Sequence, residues 1–190
     1  HCDTLFECYE TGKALRQNDL MIDREKISGY RHFAQFFALF CGAEPPDGIS
    51  RKQVLLRLPP EKRLGALLAE AKKQFRENAD WLMQCLNSDD FDRAAAKGKA
   101  AAFLSIEGAE LLCTDEHIQM AYDAGVRMVT LSWNYQNQYA CGSAVNNDVG
   151  LSPRGKALVQ TLVQMGVIVD VSHLSEGGFW DLCALTDAPF

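Results

Sequence analysis

Four side chains fall where strand ends would place them, and their types suit metal chemistry. His1 and Asp3 are separated by one residue. On extended backbone, residues i and i+2 project from the same face, so both can reach a single ion. Glu107 directly follows the apolar run Ala101–Ile106, and His173 directly follows the run Val167–Ser172. Together they offer imidazole nitrogen and carboxylate oxygen from the carboxyl ends of three strands, a donor set that suits zinc. Two such clusters sharing a bridging carboxylate hold two ions roughly 3.5 Å apart, the arrangement used for metal-assisted hydrolysis. Spacing alone leaves other readings open. An HxD triplet arises by chance in many chains, and a lone histidine after a strand is more often a hydrogen-bonded structural residue. Glu107 beside Gly108 also suits a solvated loop.

The elements that must position these residues are legible as alternating patterns. Ala34–Phe40, Ala101–Ile106, Met128–Trp133 and Val167–Ser172 are short, nearly continuous apolar runs, the signature of strands covered on both faces. Leu64, Leu68, Ala71, Phe75, Ala79, Leu82 and Leu86 recur at spacings of three and four, which predicts one long amphipathic helix. A helix over 115–124 should end at Gly125. Ser152 and Pro153 supply a cap and a first-turn proline for a helix that ends before Gly166. Its inner face would carry Leu158, Val159, Leu162 and Val163, and a last helix begins near Ser175. Strand–helix alternation of this kind predicts an α/β fold built of parallel β/α units. No domain boundary is visible across residues 1–190, and Glu44–Ser50 is the one obvious Pro/Gly loop. The polar, Asn- and Gly-rich connection Asn134–Leu151 follows a strand, which puts it at the carboxyl end of the sheet, where ligands bind.

Composition narrows the function classes. With 190 residues, 47% hydrophobic and 23% charged, the chain suits one globular domain with a real core. Nineteen basic against twenty-five acidic residues give a net charge of −6. No basic stripe is dense enough for phosphate binding, so nucleic acid is excluded as an expected partner. No run approaches ~18 apolar residues, so no membrane segment is expected. Seven irregularly spaced cysteines read as free thiols, and so as a reducing, cytoplasmic location. A homo-oligomer is neither required nor excluded.

Other candidates carry less. His32 precedes a strand, at the end opposite the metal ligands, and reads as structural. His117 falls in a first helical turn and reads as solvated. Asp170, three residues before His173, should face away from the metal side; it either orients a ligand or makes a buried structural hydrogen bond. Asp89, Asp90 and Asp92 read as a solvated turn, because the glycine and final glutamate of a calcium loop are absent. No cysteine has a histidine partner at a strand end, which argues against a thiol nucleophile.

The segments SIEGAELL, GVRMVTLSWNYQN and GLSPRGKALVQTLVQMGVIVDVSHLS follow in order, with HCDTL at the start and AQFFALF after Gly29. This set resembles the membrane dipeptidase (renal dipeptidase) family of zinc peptidases through nearly the whole chain. The resemblance implies a TIM-type (β/α)8 barrel with a two-zinc centre that hydrolyses dipeptides through a metal-bridging hydroxide. Matched position by position, it implies that His1 and Asp3 bind one zinc, that Glu107 is the catalytic carboxylate bridging both, and that His173 binds the second. Some members carry a substrate-contacting histidine where this chain has Trp133, whose indole fits either an apolar wall of the substrate pocket or barrel core. A further histidine ligand, an arginine for the substrate carboxylate and a proton-donating aspartate are expected beyond Phe190. A complete barrel takes ~250 residues, so this chain reads as an incomplete portion with about five of the eight strands. Alone it is expected to be inactive and, through its open strand edges, prone to aggregate. Two alternatives stand beside the dipeptidase: an amidohydrolase-like metallohydrolase acting on a non-peptide amide or lactone, and a non-catalytic metal-binding barrel.

Overall fold

A computed structural model describes residues 1–41 and 54–190, so the loop Glu44–Ser50 lies outside the described residues. Five strands form one parallel sheet: β1 (Ala34–Phe40), β2 (Leu82–Gln84), β3 (Ala100–Glu107), β4 (Val126–Thr130) and β5 (Ile168–Asp170). The order is β1-β3-β4-β5, and β2 pairs with the first residues of β3. Helices α1 (Thr4–Thr11), α2 (Arg24–Ile27), α3 (Pro60–Glu77), α4 (Ser88–Ala96), α5 (Asp115–Asp123), α6 (Pro153–Gln164) and α7 (Glu176–Leu185) fill the connections. The α/β architecture expected from the alternating pattern is therefore present. No helix among the described residues is long and apolar enough to cross a membrane.

The start of the chain behaves as a further strand end. The Cys2 amide donates to Phe36 and the Ala38 amide donates to Cys2, both at 2.9 Å, so His1–Asp3 lie parallel to β1. Register then fixes which residues share a face, because directly paired residues project the same way. Phe40, Glu107, Thr130 and Asp170 are successive partners across the sheet and form one inward row at its carboxyl end. Ala38, Ser105, Met128 and Ile168 form the next row down. Between these positions Phe37, Leu39, Ile106, Val129 and Val169 point outward and are buried beneath the helices. Phe37 packs edge-on against Phe75 of α3, with ring centroids 5.8 Å apart.

Caps delimit the helices largely where the sequence places them. The Ser152 hydroxyl accepts the Gly155 amide, and the Ser175 hydroxyl accepts the Gly178 amide. Gly125, at φ 99°, follows α5 in the left-handed conformation expected of a helix-ending glycine. The long stripe, however, is not one helix. It stops at Glu77, and Leu82 belongs to β2. Asn78 makes the break: its Nδ2 donates to the Gln74 carbonyl, and its Oδ1 accepts the Trp81 indole N–H, both at 2.8 Å. The Trp81 carbonyl in turn accepts the Ala100 amide, which delivers the chain into β2 beside β3. Asp89 and Asp92 are exposed, as expected of a solvated charge run, but the three aspartates do not form a turn. They lie in α4, whose N-cap Asn87 accepts the Asp90 amide. Asp90 itself is buried, holding the Leu86 amide and pairing with Arg93.

Candidate metal centre

The four residues read as ligands converge on one carboxylate. Glu107, the last residue of β3, is only 3% exposed. Its Oε1 lies 3.1 Å from His1 Nε2 and 3.2 Å from His173 Nε2. The ligand atoms of His1, Asp3 and Glu107 all lie within 4.8 Å of one another. His173 joins through the same Glu107 oxygen from the opposite side of the sheet order. Asp3 stands at the N-cap of α1 yet makes no capping hydrogen bond there; its carboxyl is turned to Glu107 instead. Gly108, at φ 87°, carries the chain out of β3 through a turn in which a Cβ would lie 2.7 Å from the Glu110 carboxylate.

The electrostatics are those of crowded ligands. Burial and the Glu107 charge push the Asp3 carboxyl up to about 6, against the pull of His1. The hydrogen bond to Glu107 raises His1, with burial opposing it and the charges of Glu107, Asp3 and Asp170 adding to the rise. Protons held by such groups are those a cation displaces when it binds. A nearly buried carboxylate flanked by two imidazoles and a second carboxyl therefore fits a divalent metal in its donor chemistry as well as in its geometry.

Around these four lies a supporting layer. Asp170 shares the inward row with Glu107, rather than facing away. Strand parity misleads here because β5 ends at Asp170, and His173 sits beyond it on a turn. Asp170 Oδ2 accepts the Thr130 hydroxyl at 2.5 Å, and Oδ1 accepts the Ser172 amide and hydroxyl. Burial works to raise Asp170, but these hydrogen bonds outweigh it and hold the carboxyl below its ordinary range. A charged residue inside an otherwise apolar strand was the available signal for this role. On the rim, Trp133 meets Phe40 and Tyr135 edge-on, with centroids 5.2 and 5.7 Å away, and lies 6.3 Å from the His173 ring.

His173 is the only non-glycine residue with positive φ among the described residues, at 64°. The Leu174 amide donates to Val171, which makes His173 the third residue of a β-turn, a place where positive φ normally calls for glycine. A left-handed side-chain-bearing residue costs on the order of 1–2 kcal/mol, so something must hold it. Of the remaining candidates, His32 is exposed before β1, at the amino end of the sheet. His117 is buried, not solvated, and its Nδ1 has no hydrogen-bond partner; its helical turn packs inward. All seven cysteines are free, as read.

A family model described as "Membrane dipeptidase (Peptidase family M19)" matches residues 1–190. The chain belongs to the membrane dipeptidase family. Dipeptidase tcpJ of Claviceps purpurea is 31% identical over 114 residues, covering 58% of this chain and 27% of that protein. A metallopeptidase from Rhodobacter sphaeroides, solved with a phosphinate mimic of L-Ala-D-Ala, shares the fold with TM-score 0.78 and 21% identity, over 98% of this chain and 61% of its own. The probable dipeptidase PvdM of Pseudomonas aeruginosa aligns with TM-score 0.71 and 26% identity, over 92% of this chain and 46% of its own. The chain thus spans from about a quarter to under two thirds of the length of these relatives. Its parallel sheet is a portion of the TIM-type barrel.

Proposed function

We propose that this chain carries the metal centre of a dipeptide-hydrolysing enzyme. His1 and Asp3 hold one zinc ion, Glu107 bridges to a second, and His173 holds that second ion. The observation that carries this reading is the single Glu107 oxygen met by imidazoles from two different strand ends. A bound ion pair supplies a water deprotonated near neutral pH and a polarised scissile carbonyl.

The chain's own side chains do the rest. Glu107 offers a carboxylate that is already stripped of bulk water, so its charge is fully available to cations. Asp170 and Thr130 fix the inward row beside it. Trp133, Phe40 and Tyr135 form an apolar wall that excludes water from the site and receives an apolar portion of the substrate. Because the Rhodobacter protein was solved with a mimic of L-Ala-D-Ala, that dipeptide belongs in the first substrate panel here.

The test is metal counting and hydrolysis on the intact protein. Two zinc ions per chain are expected, with dipeptide hydrolysis lost on chelation and restored by zinc. Glu107→Ala should abolish activity. Substantial hydrolysis by Glu107→Ala, or indifference to chelators, would overturn the assignment. Equal turnover of substrates lacking a free carboxylate would favour the amidohydrolase-like alternative, and zinc uptake without any hydrolysis the non-catalytic one.

A further inference from the structure

His173 stands in a backbone conformation that its own sequence does not favour, and the stretch that restrains it comes from elsewhere. Cys141–Ser143 runs antiparallel to His173–Ser175. The Ser143 amide donates to the His173 carbonyl at 2.8 Å, and the Ser175 amide donates to the Cys141 carbonyl at 3.0 Å. The same loop takes a second grip just downstream. The Ser175 hydroxyl donates to Val149, the Glu176 amide to the Asn147 side chain, and the Gly177 amide to the Asn147 carbonyl. All of these partners lie within Asn134–Leu151, the connection that leaves β4.

Behind the clamp there is no slack. Gly142 presses on the backbone that carries Trp133: a Cβ there would lie 2.3 Å from the Trp133 carbonyl oxygen and 2.7 Å from the Asn134 carbonyl carbon. The Ser132 hydroxyl also donates to Cys141. Cys141–Ser143 is therefore wedged between the exit of β4, which carries the aromatic wall, and the turn that carries His173.

We infer that Cys141–Ser143 is the positioning element for His173, and that it couples occupancy of the His173 metal position to the conformation of the Trp133 wall. This rests on the reading of His173 as a metal ligand. The physical argument is linkage. An ion bound by His173 favours the left-handed turn and so the clamp that stabilises it. By reciprocity, anything that disorders the clamp weakens that ion by the same factor. His1 and Asp3 are held by β1 and α1, which make no hydrogen bond to this loop among the described residues. The clamp reaches their ion only indirectly, through the shared Glu107 and the Phe40–Trp133 contact, so that ion weakens less.

The experiment uses the intact protein with zinc alone as the probe. Stepwise affinities are measured by competition with a chromophoric chelator, and amide exchange is followed with and without zinc. In the unmodified protein, zinc should slow exchange at Ser143 and Ser175 at least tenfold, and His173→Ala should remove that slowing. In Gly142→Ala one zinc should weaken tenfold or more while the other stays within about twofold. Gly65→Ala, in α3 and with nothing within 4 Å of its added Cβ, should leave both affinities unchanged. Equal weakening of both ions in Gly142→Ala, or no weakening, overturns the inference. If Gly142→Ala fails to fold, the exchange arm decides: zinc-independent exchange at Ser143 and Ser175 overturns it. A protein that binds no zinc at all fails the metal-centre reading itself, a distinct result.

Discussion

The two faces of the sheet use the same strands for opposite ends. Outward, Phe37, Leu39, Ile106, Val129 and Val169 are closed beneath helices, with no polar atom among their side chains. Inward, one residue along, Phe40, Glu107, Thr130 and Asp170 make a row in which three of four residues are polar or charged. The outward face obeys the rule that buried apolar area stabilises. The inward row breaks it, placing two carboxylates and a hydroxyl where dry side chains would serve the fold better. What separates the faces is alternation at a period of two, so a one-residue register slip in β3 would exchange stability for chemistry.

The largest expected effect lies on the inward row. Glu107→Gln should eliminate dipeptide hydrolysis and the tighter zinc binding, while the metal-free protein melts no lower than the unmodified one. Removing this buried charge relieves desolvation and the crowding with Asp3, which offsets the weakened contacts to His1 and His173. A clear fall in the melting temperature of the metal-free protein would mean that Glu107 holds the fold as well as the metal, and would blur the contrast. Phe37→Ala makes the opposite test. It empties the contact with Phe75 and should cost about 3–5 kcal/mol in denaturant unfolding, with zinc affinity of the folded fraction unchanged. Asp170→Asn ranks next. It keeps the shape but removes the charge opposite His1, and a supporting residue of this kind is worth roughly 10–100-fold in metal affinity. A change below twofold by zinc competition would place Asp170 with the fold rather than with the site.

The legibility of this division was uneven, for physical reasons. A charged or imidazole side chain directly after an apolar run makes Glu107 and His173 candidates, and a spacing of two does the same for His1 and Asp3. Spacing alone leaves their roles open, and the ligand set rests on the family resemblance. The break between α3 and β2 was hidden, because Ala79, Leu82 and Leu86 continue the helical spacing by coincidence. The decisive residue was Asn78, whose side chain ends the helix and catches Trp81. Parity misplaces Asp170, because β5 ends there and His173 follows on a turn. The left-handed turn at His173 has no local signature at all. It follows from bonds to residues some thirty positions earlier in the chain, and such long-range restraint leaves no mark in a window of neighbouring residues.

The finest test of the contrast sits two residues before Glu107, on the same inward face. Ser105 is fully buried between Ala38 and Met128, and its hydroxyl has no hydrogen-bond partner. It is a polar group one row below the site. If the chemistry ends with the row of Glu107, this hydroxyl is a leftover cost, and Ser105→Ala should leave zinc affinity untouched. Stability should then hold or rise by up to about 1 kcal/mol, because deleting an unpaired buried polar atom removes its desolvation penalty. A measured loss of more than about 1 kcal/mol in urea unfolding would instead show that the hydroxyl is satisfied in solution, through a water or a shifted rotamer. Loss of zinc affinity would show that the polar layer supporting Glu107 is two rows deep.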